Sequence, residues 1–350
     1  MSRFLCERYL SLEAYTPGEQ PQDMQYVKLN TNESPYPPSP GVVEAATAEA
    51  GRLQLYCDPT AAKLRDALAA RCGVKRENVY VANGSDNILY FAFMAFGGDG
   101  AFFPDITYGF YKVYCELLGV RYEKIPLKDD FSIDPAQYAG LGGMIAFANP
   151  NAPTGLALSR DTVEGIVRAN PGHVVLVDEA YVDFGAESCL PLVEKYDNLL
   201  VVQTFSKSRS LAGARLGFAV AQPALIDDLN RIKFSTNPYD INRMTQAAGI
   251  AALAADETNM ENCRRIIATR EDAARRLRQM GFEVLPSSAN FLFARTDKIG
   301  GGDLYRALKQ RGVLVRHFDA PRISDYNRIT VGTPEQMDAL IDAITAILEG

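Results

Sequence analysis

The chain has no tryptophan, two histidines and six cysteines in 350 residues. The cysteines (Cys6, Cys57, Cys72, Cys115, Cys189 and Cys263) form no C-x-x-C pair, and His173 lies far from His317. These spacings argue against a zinc site or a disulfide framework, so no metal is expected and the thiols read as reduced. Basic residues are also short. Lys and Arg number 36 against 43 Asp and Glu, a net charge of −7 and a pI near 5.1. That balance speaks against nucleic acid or an anionic membrane as the main partner, though not against small anions held in a local cationic pocket. No apolar run approaches the roughly 20 residues needed to span a bilayer. The opening "MSRFLCERYLSLEAYTPGEQ" is charged throughout, unlike a secretory signal. No G-x-G-x-x-G follows an apolar run, which removes the dinucleotide-binding fingerprint of an oxidoreductase. The expectation is a cytoplasmic protein that acts on small molecules, with no nucleic-acid or membrane partner.

What is present is ordinary globular material: 47% hydrophobic and 23% charged residues, in a chain long enough for a well-buried core. Residues 1–27, with Pro17, Gly18 and Pro21, read as an arm. "KLNTNESPYPPSP", Lys28 to Pro40, is loop, because its four prolines exclude regular structure. Helical patterns such as "TAAKLRDALAARCG" and "GSDNILYFAFMAF" then alternate with short apolar runs: "NVYVAN", "GAFFP", "YEKIPL", "GMIAFANP", "HVVLVDEAY" and "NLLVVQTFS". Several runs are apolar on both faces, as strands between helix layers should be. This predicts an α/β domain over 28–255 with a mostly parallel central sheet flanked by helices. A long charged helix, "ETNMENCRRIIATREDAARRLRQMG", opens a smaller α+β domain over 256–350, which includes the runs "VLVRHF" and "RITVGT".

Three features fall at ends of these strands, where open parallel sheets place their ligands. One run delivers Asp178 with Tyr181 just after it; another delivers Ser206 and Lys207; a third delivers Gly84, Ser85 and Asp86 where a helix begins. Taken singly, these are a helix cap, a solvated lysine and a helix start. Taken together they match one cofactor. A lysine that bonds an aldehyde needs a desolvated, cation-rich setting. Pyridoxal phosphate (PLP) needs a carboxylate at its ring nitrogen, which Asp178 can supply. Its phosphate suits hydroxyls and N–H groups at a helix N-terminus, here Gly84, Ser85, Asp86 and Ser206, with Arg215 as a charged partner.

"DEAY" followed by "TFSKSRSLAGARLGF" resembles the aspartate and lysine motifs of fold-type I PLP-dependent aminotransferases. "NPNAPTG" resembles their asparagine-proline-threonine-glycine loop, and "LNTNESPYPPSP", "ITYGFY" and "RITVGT" make the chain most similar, within that class, to histidinol-phosphate aminotransferases. The likeness runs from about Tyr15 to the last helix, with the motifs in the same order. It implies amino transfer from histidinol phosphate to 2-oxoglutarate, giving imidazole-acetol phosphate and glutamate. Aromatic or broad-specificity aminotransferases and phospho-amino-acid decarboxylases of the same fold stay open as alternatives.

Carried over by position, the resemblance implies that Lys207 bonds the cofactor, Asp178 pairs with the ring nitrogen and Tyr181 with the phenolate oxygen. Tyr108 would stack on the ring; its spacing from Phe110 and Tyr111 suits core packing as well. Ser85, Asp86, Thr204, Ser206 and Arg215 would hold the phosphate. Tyr56 resembles the tyrosine that reaches the neighbouring subunit's site, which implies a homodimer. Tyr15, Asn32, Arg316 and Arg328 resemble the substrate-binding set. One position departs from the pattern. The asparagine that family members often place against the phenolate oxygen is Ala152 here, so either Asn151 takes the role or Tyr181 carries it with water.

Overall fold

The computed structural model describes residues 2–349. In chain order its strands are β1 (Val27–Lys28), β2 (Val79–Asn83), β3 (Ala101–Pro104), β4 (Tyr122–Ile125), β5 (Met144–Ala148), β6 (Val175–Asp178), β7 (Leu199–Thr204), β8 (Leu216–Ala221), β9 (Glu283–Val284), β10 (Phe291–Arg295), β11 (Val313–Leu314), β12 (Arg316–His317) and β13 (Asn327–Thr330). The helices are α1 (Pro40–Ala50), α2 (Ala62–Cys72), α3 (Gly84–Phe96), α4 (Phe110–Leu118), α5 (Arg160–Ala169), α6 (Pro223–Thr236), α7 (Arg243–Ala254), α8 (Asp256–Gln279), α9 (Gly301–Gln310) and α10 (Pro334–Leu348).

The central sheet has the order β2-β8-β7-β6-β5-β3-β4. Every strand is parallel except β8, which lies antiparallel between β2 and β7. Side chains alternate across a strand, so the two-sided apolar runs feed two cores. Val81, Ile145, Phe147, Val175, Val177 and Val201 pack on one face. Tyr80, Met144, Ala146, Leu176, Leu200 and Val202 pack on the other. The edge strand β4 carries exposed Glu123 and Lys124, which discourage further pairing.

This topology brings the carboxyl ends of the parallel strands to one rim, with Asp178 in register between Ala148 and Val202. Because β8 runs the other way, its first residues reach the same rim: Gly217 pairs with Thr204 on one side and Ala82 on the other. A side chain at Gly217 would sit 2.4 Å from the Ser85 nitrogen, so the turn from β2 into α3 requires glycine there. Strand β8 is absent from the apolar runs read above because it is the tail of the lysine motif.

In the small domain β12-β13-β10-β9 form an antiparallel sheet. Helices α8 and α10 cover it, placing Ala273, Leu277, Leu340 and Ile344 against Leu292 and Ile329. Thr333 and Gln336 close a capping box at the start of α10. The stretch after residue 27, at the start of the large domain in the sequence reading, is held by the small one. Strand β1 pairs in parallel with β11, and Leu29 enters the small-domain core. "VLVRHF" is likewise not one strand: β11 pairs with β1 and β12 with β13, in separate sheets.

Candidate active site

A cavity of about 520 Å³ opens at the rim between the two domains. Asp178 and Tyr181 line it from the end of β6, Ser206 and Lys207 from the end of β7, Ser85 and Asp86 from the start of α3, and Arg316 and Arg328 from the small domain. Asp178 is 4% exposed. Its carboxylate accepts from Tyr111 Oη at 3.1 Å and from the Ala180 amide at 3.2 Å. Burial, opposed by these two hydrogen bonds, pushes its pKa up to about 7. Among the described residues no cation pairs with this carboxylate.

Lys207 follows the tight turn after β7, where the Ser206 amide donates to Thr204 Oγ1 at 3.1 Å. Its Nζ donates to the Thr31 carbonyl at 3.1 Å and lies 5.8 Å from the Tyr181 ring centroid. Burial, reinforced by Arg328 and Arg215 and opposed by Glu33 and Asp86, brings its pKa down to about 8. A useful fraction of the amine is therefore neutral near physiological pH, as a nucleophile or base requires. Tyr181 stands edge-on to Phe291 and receives a 3.0 Å hydrogen bond from Asn32 Nδ2. Asn32, at φ 55°, is itself fixed from the small domain, since Asn290 Nδ2 donates to its carbonyl at 3.0 Å.

The cup beside Lys207 is polar and partly cationic. Arg215 Nη2 and Tyr108 Oη both donate to the Asp86 carboxylate at 2.7 Å, and Thr204 Oγ1 and Ser206 Oγ lie 2.9 Å apart. A side chain at Gly84 would stand 2.6 Å from Arg215 Nη2. Across the cavity, Arg328 donates to the Asn30 carbonyl at 2.9 Å while its buried Nε has no partner. Among the described residues no carboxylate pairs with it, and burial lowers its pKa from the ordinary arginine value. Arg316 donates to the carbonyls of Thr16 and Pro17, which draws the arm over the cavity. Tyr15 on that arm stacks on Phe110 at 4.1 Å and lines the cavity.

Three residues singled out in the sequence lie off the cavity wall. Gly84 supports it from behind. Asn151 is buried and committed to its own loop: its Nδ2 donates to the Ile106 carbonyl at 3.0 Å and Thr154 Oγ1 at 3.1 Å, and its Oδ1 accepts from Thr107. Ala152, not Asn151, faces the cavity. Tyr56 is 79% exposed and stacks on Tyr239 at 4.5 Å.

The class I and II aminotransferase family model matches residues 24–344. Histidinol-phosphate aminotransferase 1 of Bradyrhizobium diazoefficiens is 52% identical over 350 residues, covering 99% of this chain and 100% of that protein. The chain belongs to the histidinol-phosphate aminotransferase family. A second such aminotransferase, from Dechloromonas aromatica, is 50% identical over 354 residues, 99% of both chains. The solved histidinol-phosphate aminotransferase of Sinorhizobium meliloti, in complex with pyridoxal-5'-phosphate, superposes with a TM-score of 0.84 at 26% identity, covering 92% of this chain and 90% of that one.

The residues of this family member fit PLP on their own chemistry. A buried carboxylate lacks a cation, an amine is drawn toward neutrality, and a guanidinium with hydroxyls forms a cup at a helix start. Glycine at 84 and 217 keeps that cup open. Sequence reading missed Gln20, Glu33 and Phe318 on the wall and Tyr111 under Asp178. Glu33 sits inside the quoted N-terminal motif, so a signal existed for it. Phe318 closes the run "VLVRHF", two residues after Arg316; Gln20 carries no such signal.

Proposed function

We propose that this chain transfers the amino group of L-histidinol phosphate to 2-oxoglutarate, yielding imidazole-acetol phosphate and L-glutamate. The observation that carries this reading is the meeting of Lys207, Asp178, Arg215 and Arg328 in one cavity. Full-length identity of about half to enzymes of that name supports the substrate.

Arg215, Ser85, Thr204, Ser206 and the first amides of α3 would hold the PLP phosphate, Lys207 its aldehyde carbon, Tyr181 its ring oxygen and Asp178 its ring nitrogen. When bound, PLP supplies an electron sink for negative charge at the substrate Cα. Asp178, buried at the end of β6, would face the ring nitrogen and favour its protonated form. Lys207 Nζ, drawn toward its neutral form, would take the proton from the substrate Cα as general base. Tyr181 donates its hydroxyl proton, because Asn32 Nδ2 donates to the same oxygen. Arg328 and Arg316 bind the phosphate of one substrate and the distal carboxylate of the other, since a guanidinium fork accepts either. With Ala152 where the family often has asparagine, Tyr181 is the direct protein donor to the ring oxygen.

The reading includes a homodimer in which Tyr56 reaches the neighbouring site, supported by the exposed Tyr56–Tyr239 stack beside exposed Leu53 and Leu55. It also includes a cytoplasmic location, where six unpaired thiols stay reduced. Among the described residues no helix is long and apolar enough to cross a membrane. Borohydride reduction of the yellow protein followed by peptide mapping tests the site. The label belongs on Lys207, and a label on any other lysine defeats the assignment. Mixing Tyr56→Ala with Lys207→Ala chains tests the shared site: mixed dimers should keep one working centre, and unrestored activity would refute the exchange.

A further inference from the structure

We propose that Arg209 is a positioning residue. It clamps the Lys207 turn to the Tyr181 turn and to the first residue of α8, so that the reactive amine stays in register with the small domain. The side chain is 2% exposed, and its fork spans two carboxylates from two elements. Nη1 donates to Asp183 Oδ2 at 3.0 Å and Nη2 to Asp256 Oδ1 at 3.0 Å, while its Cζ lies 5.4 Å from the Phe205 ring centroid. Ser208 adds a 2.5 Å bond to the same Asp183 oxygen, so both residues after Lys207 are tied to the segment after Tyr181. Asp256 begins α8, whose far end supplies Ala273 and Leu277 to the small-domain core.

Two further points make this more than a structural ion pair. A buried charge that loses one partner is strongly penalised, so the fork holds both elements at fixed spacing. Lysine, a single point charge, cannot span both carboxylates. The groups acting on Lys207 also come from both domains: Arg328 on β13, Glu33 on the N-terminal loop, Asp86 on α3, Arg215 before β8 and the Tyr181 ring. A turn that slips relative to the small domain therefore changes the electrostatic surroundings of Nζ.

The inference rests on Lys207 being the reactive amine, and the test needs neither cofactor nor substrate, so a chain inactive toward histidinol phosphate still decides it. The full-length protein, stripped of PLP, is pulse-labelled with acetic anhydride from neutral to alkaline pH, and modification of Lys207 is read by peptide mass spectrometry. The wild-type midpoint is expected near 8. Arg209→Lys and Asp256→Asn should each raise it by about one pH unit, a roughly tenfold drop in labelling at fixed lower pH. Arg71→Ala, which removes only the outer partner of Asp256, should leave it in place. If Arg209→Lys does not fold, Asp256→Asn decides alone. An unmoved midpoint in the folded variants, or an equal shift in Arg71→Ala, overturns the proposal.

Discussion

Replacing Asp178 by Asn should make the cofactor-free protein more stable at alkaline pH while destroying its activity. The carboxylate is buried with two hydrogen bonds and no cation, and its pKa stands at about 7 against an ordinary 3.8. Between about pH 4 and pH 7 the folded chain holds a proton that the unfolded chain has released. Unfolding free energy therefore falls as pH rises through that window, by about 1.4 kcal/mol per pH unit. Above it the full cost is present, about 4 kcal/mol at most on the same conversion. Asparagine has the same shape and never ionises; its oxygen can accept from the Ala180 amide while its Nδ2 donates to the Tyr111 hydroxyl, which can accept as well as donate. Asp178→Asn should match the wild type near pH 4 and exceed it by about 2–4 kcal/mol near pH 8. Glu179, also raised to about 7 by burial, is common to both proteins and cancels. Urea unfolding of the two PLP-free proteins at each pH reads the difference. A stability difference that does not change with pH would refute the reasoning. Transamination should move oppositely, falling about 100-fold or more, because a neutral amide cannot hold a proton on the ring nitrogen.

Three other outcomes follow from named contacts. Lys207→Ala should lose the yellow colour and lower turnover by at least about 1,000-fold, within the range of a lost nucleophile and base, measured in a coupled glutamate assay. Arg328→Gln should raise the KM of both anionic substrates by about 30- to 100-fold, the worth of one or two charge-assisted hydrogen bonds, with PLP content unchanged. Gly217→Ala would place a methyl 2.4 Å from the Ser85 nitrogen and 2.5 Å from the Gly84 carbonyl carbon. It should weaken PLP binding more than about tenfold by fluorescence titration, since a shift of the cup costs at least one hydrogen bond.

Much of the site was legible because strand ends declare it. Asp178, Thr204 and Lys207 follow runs apolar on both faces, and Arg215 follows in the same motif, so topology alone brings them to one rim. Contacts across the domain interface were not legible. Strand β1 has two residues, too few for any periodicity, and its partner β11 lies nearly the whole chain away. The break in "VLVRHF" arises because Val315 passes from one sheet to another, and an apolar pattern is the same for one sheet or two. Asn151 and Ala152 are neighbours, and only side-chain direction decides which one faces the cavity. The pair of carboxylates that hold Arg209 comes from separate elements, so no local spacing announces it.

The most direct measurement is a specificity panel on the purified PLP-loaded enzyme: initial rates with 2-oxoglutarate as acceptor and L-histidinol phosphate, L-phenylalanine or L-threonine O-3-phosphate as donor. The account predicts that kcat/KM for histidinol phosphate exceeds that for phenylalanine by at least about 100-fold, the worth of anchoring a phosphate on Arg328. It also predicts no decarboxylation of threonine phosphate. Equal or greater efficiency with phenylalanine, or carbon dioxide release from threonine phosphate, would contradict it.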